Sequence, residues 1–104
     1  MGKRSRSKPE RLAEKLLQIR VTLGLSQTEM HRRLGLEEEV EYTIISKYEL
    51  ARNEPPLTTL LRYAHVAGVH LEDIVDDDLD LPQRLPGNVR YQGIRRSSKS
   101  QKKR

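Results

Sequence analysis

The chain of 104 residues has room for one domain, and its composition excludes several classes of protein. Hydrophobic residues make up 35% and charged residues 34%, and no run approaches the roughly 20 apolar positions that a membrane-spanning helix needs. The chain has no cysteine, which excludes disulfides, thiol nucleophiles and cysteine-ligated zinc. We therefore expect a small, soluble, intracellular and mostly helical protein, with neither a membrane nor a metal as its partner.

Charge is strongly segregated along the chain. Residues 1–8 carry four basic and no acidic side chains, and residues 82–104 carry eight basic and none acidic. The residues between them, 9–81, have a net charge of −7. Both ends hold few apolar residues, so we expect two flexible basic arms around one domain over 9–81. Basic arms are typical of proteins with a polyanionic partner, although they also occur simply as soluble ends.

Apolar spacing predicts two helices in the first part of the central domain. Residues 10–23 place four aliphatic side chains on one helical face: Leu12, Leu16, Ile19 and Leu23. Ser26 and Glu29 then have the spacing of a capping box, which opens a short helix over residues 27–34. A glycine follows each of these helices and is placed to end it.

Three more helices are predicted by the same spacing. One is expected to begin at residue 41 or 42 and to end at residue 50, and the others cover 57–67 and 71 to about 77. The buried face predicted for the helix over 57–67 consists of Leu57, Leu60, Leu61, Ala64 and Ala67. No segment alternates at period two, so the predicted fold class is all-α, with five short helices in one compact domain.

Three segments then carry a resemblance: GLSQTEMHRRLGL at 24–36, ISKYE at 45–49 and LTTLLRYAHVAGVHLEDIV at 57–75. Over about residues 10–75 the chain resembles the helix-turn-helix domain of phage Cro and repressor proteins and the Xre-type bacterial regulators. The resemblance implies a lambda-repressor-like fold and a sequence-specific transcriptional regulator, which we expect to act as a repressor. It implies double-stranded DNA as the partner, no cofactor, and a place in the bacterial cytoplasm at the nucleoid.

The resemblance also implies roles for particular residues. The positions that read base edges in this family are Tyr42, Thr43 and Lys47. The positions that face DNA phosphates are Gln27, Ser46, Arg52 and Asn53. Three alternatives stay open: core packing or a partner surface for Tyr42 and Ile44, ordinary solvent exposure for Gln27, and a place facing the core for Ser46.

Arg20 and Glu49 are expected to form a structural ion pair. Arg20 borders the apolar face of the first helix, and an unpaired buried charge is costly. Glu49, at the end of the third helix, is the partner that the resemblance implies. Two exposed and independent charges are the alternative.

The chain departs from the family pattern between the second and third helices. This segment is about four residues too long and contains four glutamates: Glu37, Glu38, Glu39 and Glu41. Glutamates oppose the approach of phosphates but favour a helix N-terminus. Either they form an extra turn directed away from DNA, or this surface no longer docks in a groove. Ala51 also stands where the family usually has glycine, and it is strained if that position needs a positive φ.

Dimerisation is expected, because one short domain rarely binds DNA tightly alone and a symmetric dimer suits a two-fold site. The fifth helix is one candidate for the contact. The leucines that follow it are the other candidates: Leu79, Leu81 and Leu85.

Two other function classes compete with a DNA-binding regulator. An antitoxin-like or adaptor module for a protein partner is motivated by the glutamate segment and by the acidic strip over 72–80. An enzyme is not expected, because no phosphate loop or nucleophile elbow occurs and the histidines lack metal-ligand spacing. Of these histidines, His31 is expected to be solvated together with its neighbours Arg32 and Arg33.

Overall fold

Five α-helices organise residues 9–86, which are the residues that the computed structural model describes. They are α1 (Leu12–Leu23), α2 (Gln27–Arg33), α3 (Thr43–Glu49), α4 (Leu57–Ala67) and α5 (Leu71–Val75). No strand occurs within residues 9–86, so the all-α prediction is confirmed. The arm predicted over 1–8 and most of the one over 82–104 lie outside the described residues.

Local hydrogen bonds set the ends of the first two helices. Gly24 ends α1 in a left-handed conformation with φ 72°. The capping box opens α2: Ser26 Oγ accepts from the backbone N–H of Glu29 at 3.0 Å, and Glu29 Oε1 accepts from the backbone N–H of Ser26 at 2.8 Å. These hydrogen bonds satisfy donors that are otherwise unpaired at the beginning of a helix, and so fix where α2 starts.

The core lies between α1 and the other four helices. Its fully buried side chains include Leu16 and Ile19 from α1, Met30 from α2, Ile45 from α3 and Ile74 from α5. The core face of α4 differs from the prediction, because Leu57 is 67% exposed and Leu61 is 43% exposed. The face that packs is Leu60, Tyr63, Ala64 and Ala67. Leu60, Ala64 and Ala67 are buried as predicted, and Tyr63 takes the place expected for Leu57 and Leu61. Both faces have helical spacing, so the spacing alone does not select between them.

The chain after α5 folds back onto the same core. Leu81 and Leu85 are both buried and belong to the core cluster. They are therefore not free to contact a second copy, which corrects the expectation that placed a dimer contact on them. Leu85, which the sequence analysis assigns to the C-terminal arm, packs as part of the domain.

Acidic residues after α5 hold the beginning of α1. The carboxylate of Asp77 accepts from the backbone N–H groups of Glu10 at 2.9 Å and Arg11 at 3.0 Å. These hydrogen bonds lower the pKa of Asp77 below its ordinary value. Arg11 pairs with Asp80 at 2.9 Å and also donates to the carbonyl oxygens of Asp77 and Leu79. Part of the acidic strip therefore closes the domain.

Candidate nucleic-acid interface

The second and third helices pack on each other through buried side chains and present their remaining faces to solvent. Met30 of α2 and Ile45 of α3 are fully buried in the common core. Tyr48 of α3 is also buried, and burial raises the pKa of its hydroxyl. The inner face of α3 is consequently fixed against α2, and its outer face points to solvent. In this arrangement the second helix of the pair can enter a DNA groove.

The three predicted base-reading residues lie at and along this outer face. Tyr42 is the residue immediately before α3 and is 52% exposed. Thr43 and Lys47 are also exposed, and they are one helical turn apart on α3. Ile44 is half-buried against the core. α3 begins at Thr43, one residue after the later of the two starts expected from the sequence, and Tyr42 is its N-cap residue.

The predicted phosphate-facing residues are distributed around the same helix. Arg52 and Asn53 are exposed in the turn that follows α3. Ser46 is half-buried on α3 itself. Gln27 is half-buried at the beginning of α2, and its Nε2 donates to Glu49 Oε1 at 3.1 Å. The structure thus places one of these four side chains on α3 itself, two in the turn that follows it and one at the beginning of α2.

Arg20 and Glu49 form a two-point ion pair beneath this surface. Arg20 Nε donates to Glu49 Oε2 at 2.7 Å, and Arg20 Nη2 donates to Glu49 Oε1 at 3.1 Å. The two side chains are only 18% and 5% exposed, respectively. A further donor, Arg20 Nη1, reaches the carbonyl oxygen of Leu25 at 3.0 Å. Together with Gln27, the pair ties α1, the turn after it, α2 and α3 together at one point.

The segment rich in glutamate forms an ordered turn between α2 and α3. We call residues 36–42 the extended turn. Leu36 anchors its beginning in the core. His31 Nε2 donates to the carbonyl oxygen of Val40 at 2.7 Å, an interaction that requires the ring nitrogen to carry the proton because a carbonyl only accepts. Arg62 of α4 donates to the carbonyl oxygens of Leu34 and Gly35 just before the turn.

His31 corrects one expectation from the sequence. It is 7% exposed rather than solvated, because its ring fills the space between α2 and the extended turn. Arg32 is exposed and Arg33 is half-buried. The sequence gives one signal for the role of His31: it immediately follows the buried Met30 at the edge of the apolar face of α2.

Comparison with known families decides the class of this domain. The helix-turn-helix family model matches residues 16–74, which is more than half of the chain. The chain belongs to the Xre/Cro-type helix-turn-helix family. Neither a curated protein nor a solved structure gives a significant match. Family membership indicates a DNA-binding regulator of the Xre type, and it covers the pair α2–α3 described above.

The helix-turn-helix domain is acidic as a whole, but its candidate interface keeps two free cations. Residues 9–86 contain nine Lys and Arg against fifteen Asp and Glu, a net charge of −6, while the other residues contain eleven Lys and Arg and no acid. Arg11, Arg20, Arg32 and Arg62 are paired with acids inside the domain. Lys47 and Arg52, both at the candidate interface, form no ion pair with another residue in the range 9–86.

Residues 9–86 lack two other kinds of site. No group of three or more histidine, aspartate or glutamate side chains in this range is placed to hold a metal ion. In the same range, no helix is both long and apolar enough to cross a membrane.

The turn that ends α3 in this helix-turn-helix domain contains a strained residue. Ala51 has φ 61°, and it is the one residue other than glycine with a positive φ in residues 9–86. The backbone N–H of Arg52 donates to the carbonyl oxygen of Lys47 at 2.8 Å, and that of Ala51 donates to Tyr48 at 3.2 Å. These two bonds make a Schellman motif, in which the left-handed position favours glycine.

Ala51→Gly is therefore expected to stabilise the domain by about 0.5–1 kcal/mol, because relief of left-handed strain exceeds the added entropy of the unfolded chain. Urea denaturation followed by circular dichroism measures the change. Ala13→Gly, inside α1, is the matched control and is expected to destabilise by about 0.5–1 kcal/mol. If both glycine variants lost stability equally, the strain assigned to Ala51 would be wrong.

Proposed function

We propose that the chain is a sequence-specific, double-stranded DNA-binding transcriptional regulator that acts as a repressor, without a cofactor, in the bacterial cytoplasm at the nucleoid. The observation that carries this proposal is the outer face of α3, where Tyr42, Thr43 and Lys47 are all exposed beside an ordered α2. Lys47 can donate to guanine O6 and N7, and Thr43 can bond a base edge or touch a thymine methyl group. Bound at an operator, such a domain blocks transcription by occupying the DNA.

The basic ends of the chain supply the phosphate affinity that the domain lacks. A surface with net charge −6 is repelled by DNA, so Arg52, Asn53 and Gln27 orient the domain rather than provide most of the attraction. Residues 1–8 and 87–104 contain eleven basic residues and no acidic residue. Binding should consequently be steeply salt-dependent, with sequence preference set by α3.

The proposed regulator binds as a homodimer on a two-fold site. Leu81 and Leu85 are used inside the domain, which leaves α5 and Leu79 of the contacts expected from the sequence. The exposed side of α4 offers a further apolar surface, with Leu57 and Leu61 one turn apart. Sedimentation equilibrium of the full chain and of Leu57→Ser measures this contribution. A dimer that weakens with Leu57→Ser supports the contact on α4.

The decisive experiment is selection of bound sites from a random duplex library, followed by fluorescence anisotropy on the selected site and its single-base variants. Lys47→Ala should lower affinity for the selected site about tenfold and relax the preference at one base pair. Gln27→Ala should weaken all duplexes by a similar factor, because phosphates carry no sequence information. If Lys47→Ala leaves the ranking of sites unchanged, α3 does not read bases as proposed.

A second candidate function is an antitoxin-like or adaptor module that keeps the helix-turn-helix fold for a protein partner. The net charge of −6 in residues 9–86 favours it, because such a surface suits a basic protein. The two candidates differ in anisotropy at low salt: the regulator binds duplex with strong salt dependence, whereas the interaction module does not bind. Absence of binding at low salt would place the interaction module first.

A further inference from the structure

The extended turn is the part of this domain that lengthens the family pattern, and it is held in place from three sides. Leu36 is buried at its start, His31 binds the carbonyl oxygen of Val40 from α2, and Arg62 binds the chain before it from α4. Arg62 also pairs with Glu39 at 3.1 Å. A segment with this many tertiary contacts is a fixed surface rather than a loose connection.

The charges on the extended turn are partly neutralised by the same neighbours. Glu39 pairs with Arg62, and Glu37 lies 3.6 Å from Arg32 of α2. Glu38 and Glu41 are the two carboxylates of the turn without an ion pair inside residues 9–86. The repulsion that the four glutamates would exert on DNA is thereby reduced to that of two.

Apolar groups remain exposed at the end of the turn, directly before α3. Val40 is 39% exposed and Tyr42 is 52% exposed, so two large apolar side chains lie on the surface of this polar chain. Together with His31, residues 37–42 line a shallow depression of about 400 Å³. In helix-turn-helix docking, the first residues of the second helix contact base edges, and Val40 lies three residues before the first residue of α3.

We propose that the extended turn is a second base-contacting element, in which the side chain of Val40 packs on the C5-methyl group of a thymine next to the base pairs read by α3. This inference rests on the proposed function. The C5-methyl group of thymine is the apolar feature of the major groove, and an aliphatic side chain recognises it by contact. His31 is a positioning residue for this contact, because it holds the backbone of Val40 through its carbonyl oxygen.

The test removes one methyl group from the DNA and the matching methyl groups from the protein. Each thymine of the selected site is replaced in turn by deoxyuridine, and the affinity of the full chain is measured by anisotropy. We expect a loss of about fourfold at one thymine, the factor that burial of one methylene-sized group provides. Val40→Ala should bind the thymine duplex with the same loss and should no longer distinguish thymine from deoxyuridine at that position.

Val21→Ala is the matched control, since Val21 is an exposed valine on α1 and its truncation should leave the thymine preference unchanged. Lys47→Ala should keep the deoxyuridine penalty while relaxing preference at a different base pair. If Val40→Ala retains the full penalty at every thymine, the contact does not exist and the proposal is overturned. If the chain binds no duplex at all, the proposed function itself fails, which is a different result.

Discussion

Glu49→Ala is expected to lower the free energy of unfolding by about 3–5 kcal/mol, because it leaves the guanidinium of Arg20 buried without its carboxylate. The loss includes three charge-assisted hydrogen bonds, two from Arg20 and one from Gln27. The pair raises the pKa of Arg20, chiefly through its hydrogen bonds with Glu49. In the variant that shift is lost, but Arg20 stays charged because a guanidinium keeps its proton at neutral pH in any case. Urea denaturation followed by circular dichroism at neutral pH measures the change.

A double variant separates the cost of an orphaned charge from the value of the pair. Arg20→Met combined with Glu49→Leu should recover most of the lost stability, since apolar residues of similar volume often replace a buried ion pair at little cost. Glu38→Ala is the control for loss of an exposed glutamate and should change stability by less than about 0.5 kcal/mol. A loss for Glu49→Ala as small as that of Glu38→Ala would mean that water replaces the missing carboxylate.

Features that depend on neighbouring residues in the sequence could be predicted. The capping box of Ser26 and Glu29 and the glycine that ends α1 involve groups a few residues apart, and the structure has both. The start of α3 was expected at residue 41 or 42 and lies at Thr43, a difference of one or two residues. Local chemistry fixes such features before tertiary packing acts on them.

Features that depend on distant residues could not be predicted in the same way. Two helical faces of α4 had suitable spacing, and the choice between Leu61 and Tyr63 for the core is made by the other helices. In the sequence, His31 is one polar residue among several. Its burial depends on the carbonyl oxygen of Val40, nine positions later, which only the fold brings to its ring. Leu85 lies beyond Pro82 in a basic segment, so no periodicity reveals that it packs in the core.

In the candidate site, too, some features could be predicted from the sequence and others could not. Family spacing sufficed to select Tyr42, Thr43 and Lys47, and their exposure makes base contact sterically open. Their role as readers of DNA stays a prediction, as does the role of Gln27 at phosphate. What the spacing could not give is the anchoring of the extended turn, because the family pattern has no equivalent of these extra residues and Arg62 reaches them from a different helix.

The burial of Lys15 is absent from the predictions made from the sequence, although the apolar pattern of α1 contains a signal for it. It is three residues after Leu12 and four before Ile19, so it lies within the apolar face of the helix and is fully buried. A lysine in that position needs partners for its ammonium group. The structure supplies three carbonyl oxygens at the end of α5 and in the chain after it: Asp73 at 2.9 Å, Asp76 at 2.8 Å and Leu79 at 2.6 Å.

Lys15→Met is therefore expected to lower the free energy of unfolding by about 1–3 kcal/mol. Methionine keeps the length of the side chain but donates nothing. The carbonyl oxygen of Asp76 keeps the backbone N–H of Leu79, and that of Leu79 keeps the guanidinium of Arg11, so only the carbonyl oxygen of Asp73 loses its donor. Such a loss costs about 1–3 kcal/mol, offset in part because a buried cation is removed. The loss should be concentrated at α5, so hydrogen exchange of its amides should accelerate more than that of α2. Lys47→Met, the same substitution on the exposed face of α3, should leave stability within about 0.5 kcal/mol of the parent. A Lys15→Met variant as stable as the parent would show that burying the ammonium group costs as much as its three hydrogen bonds return.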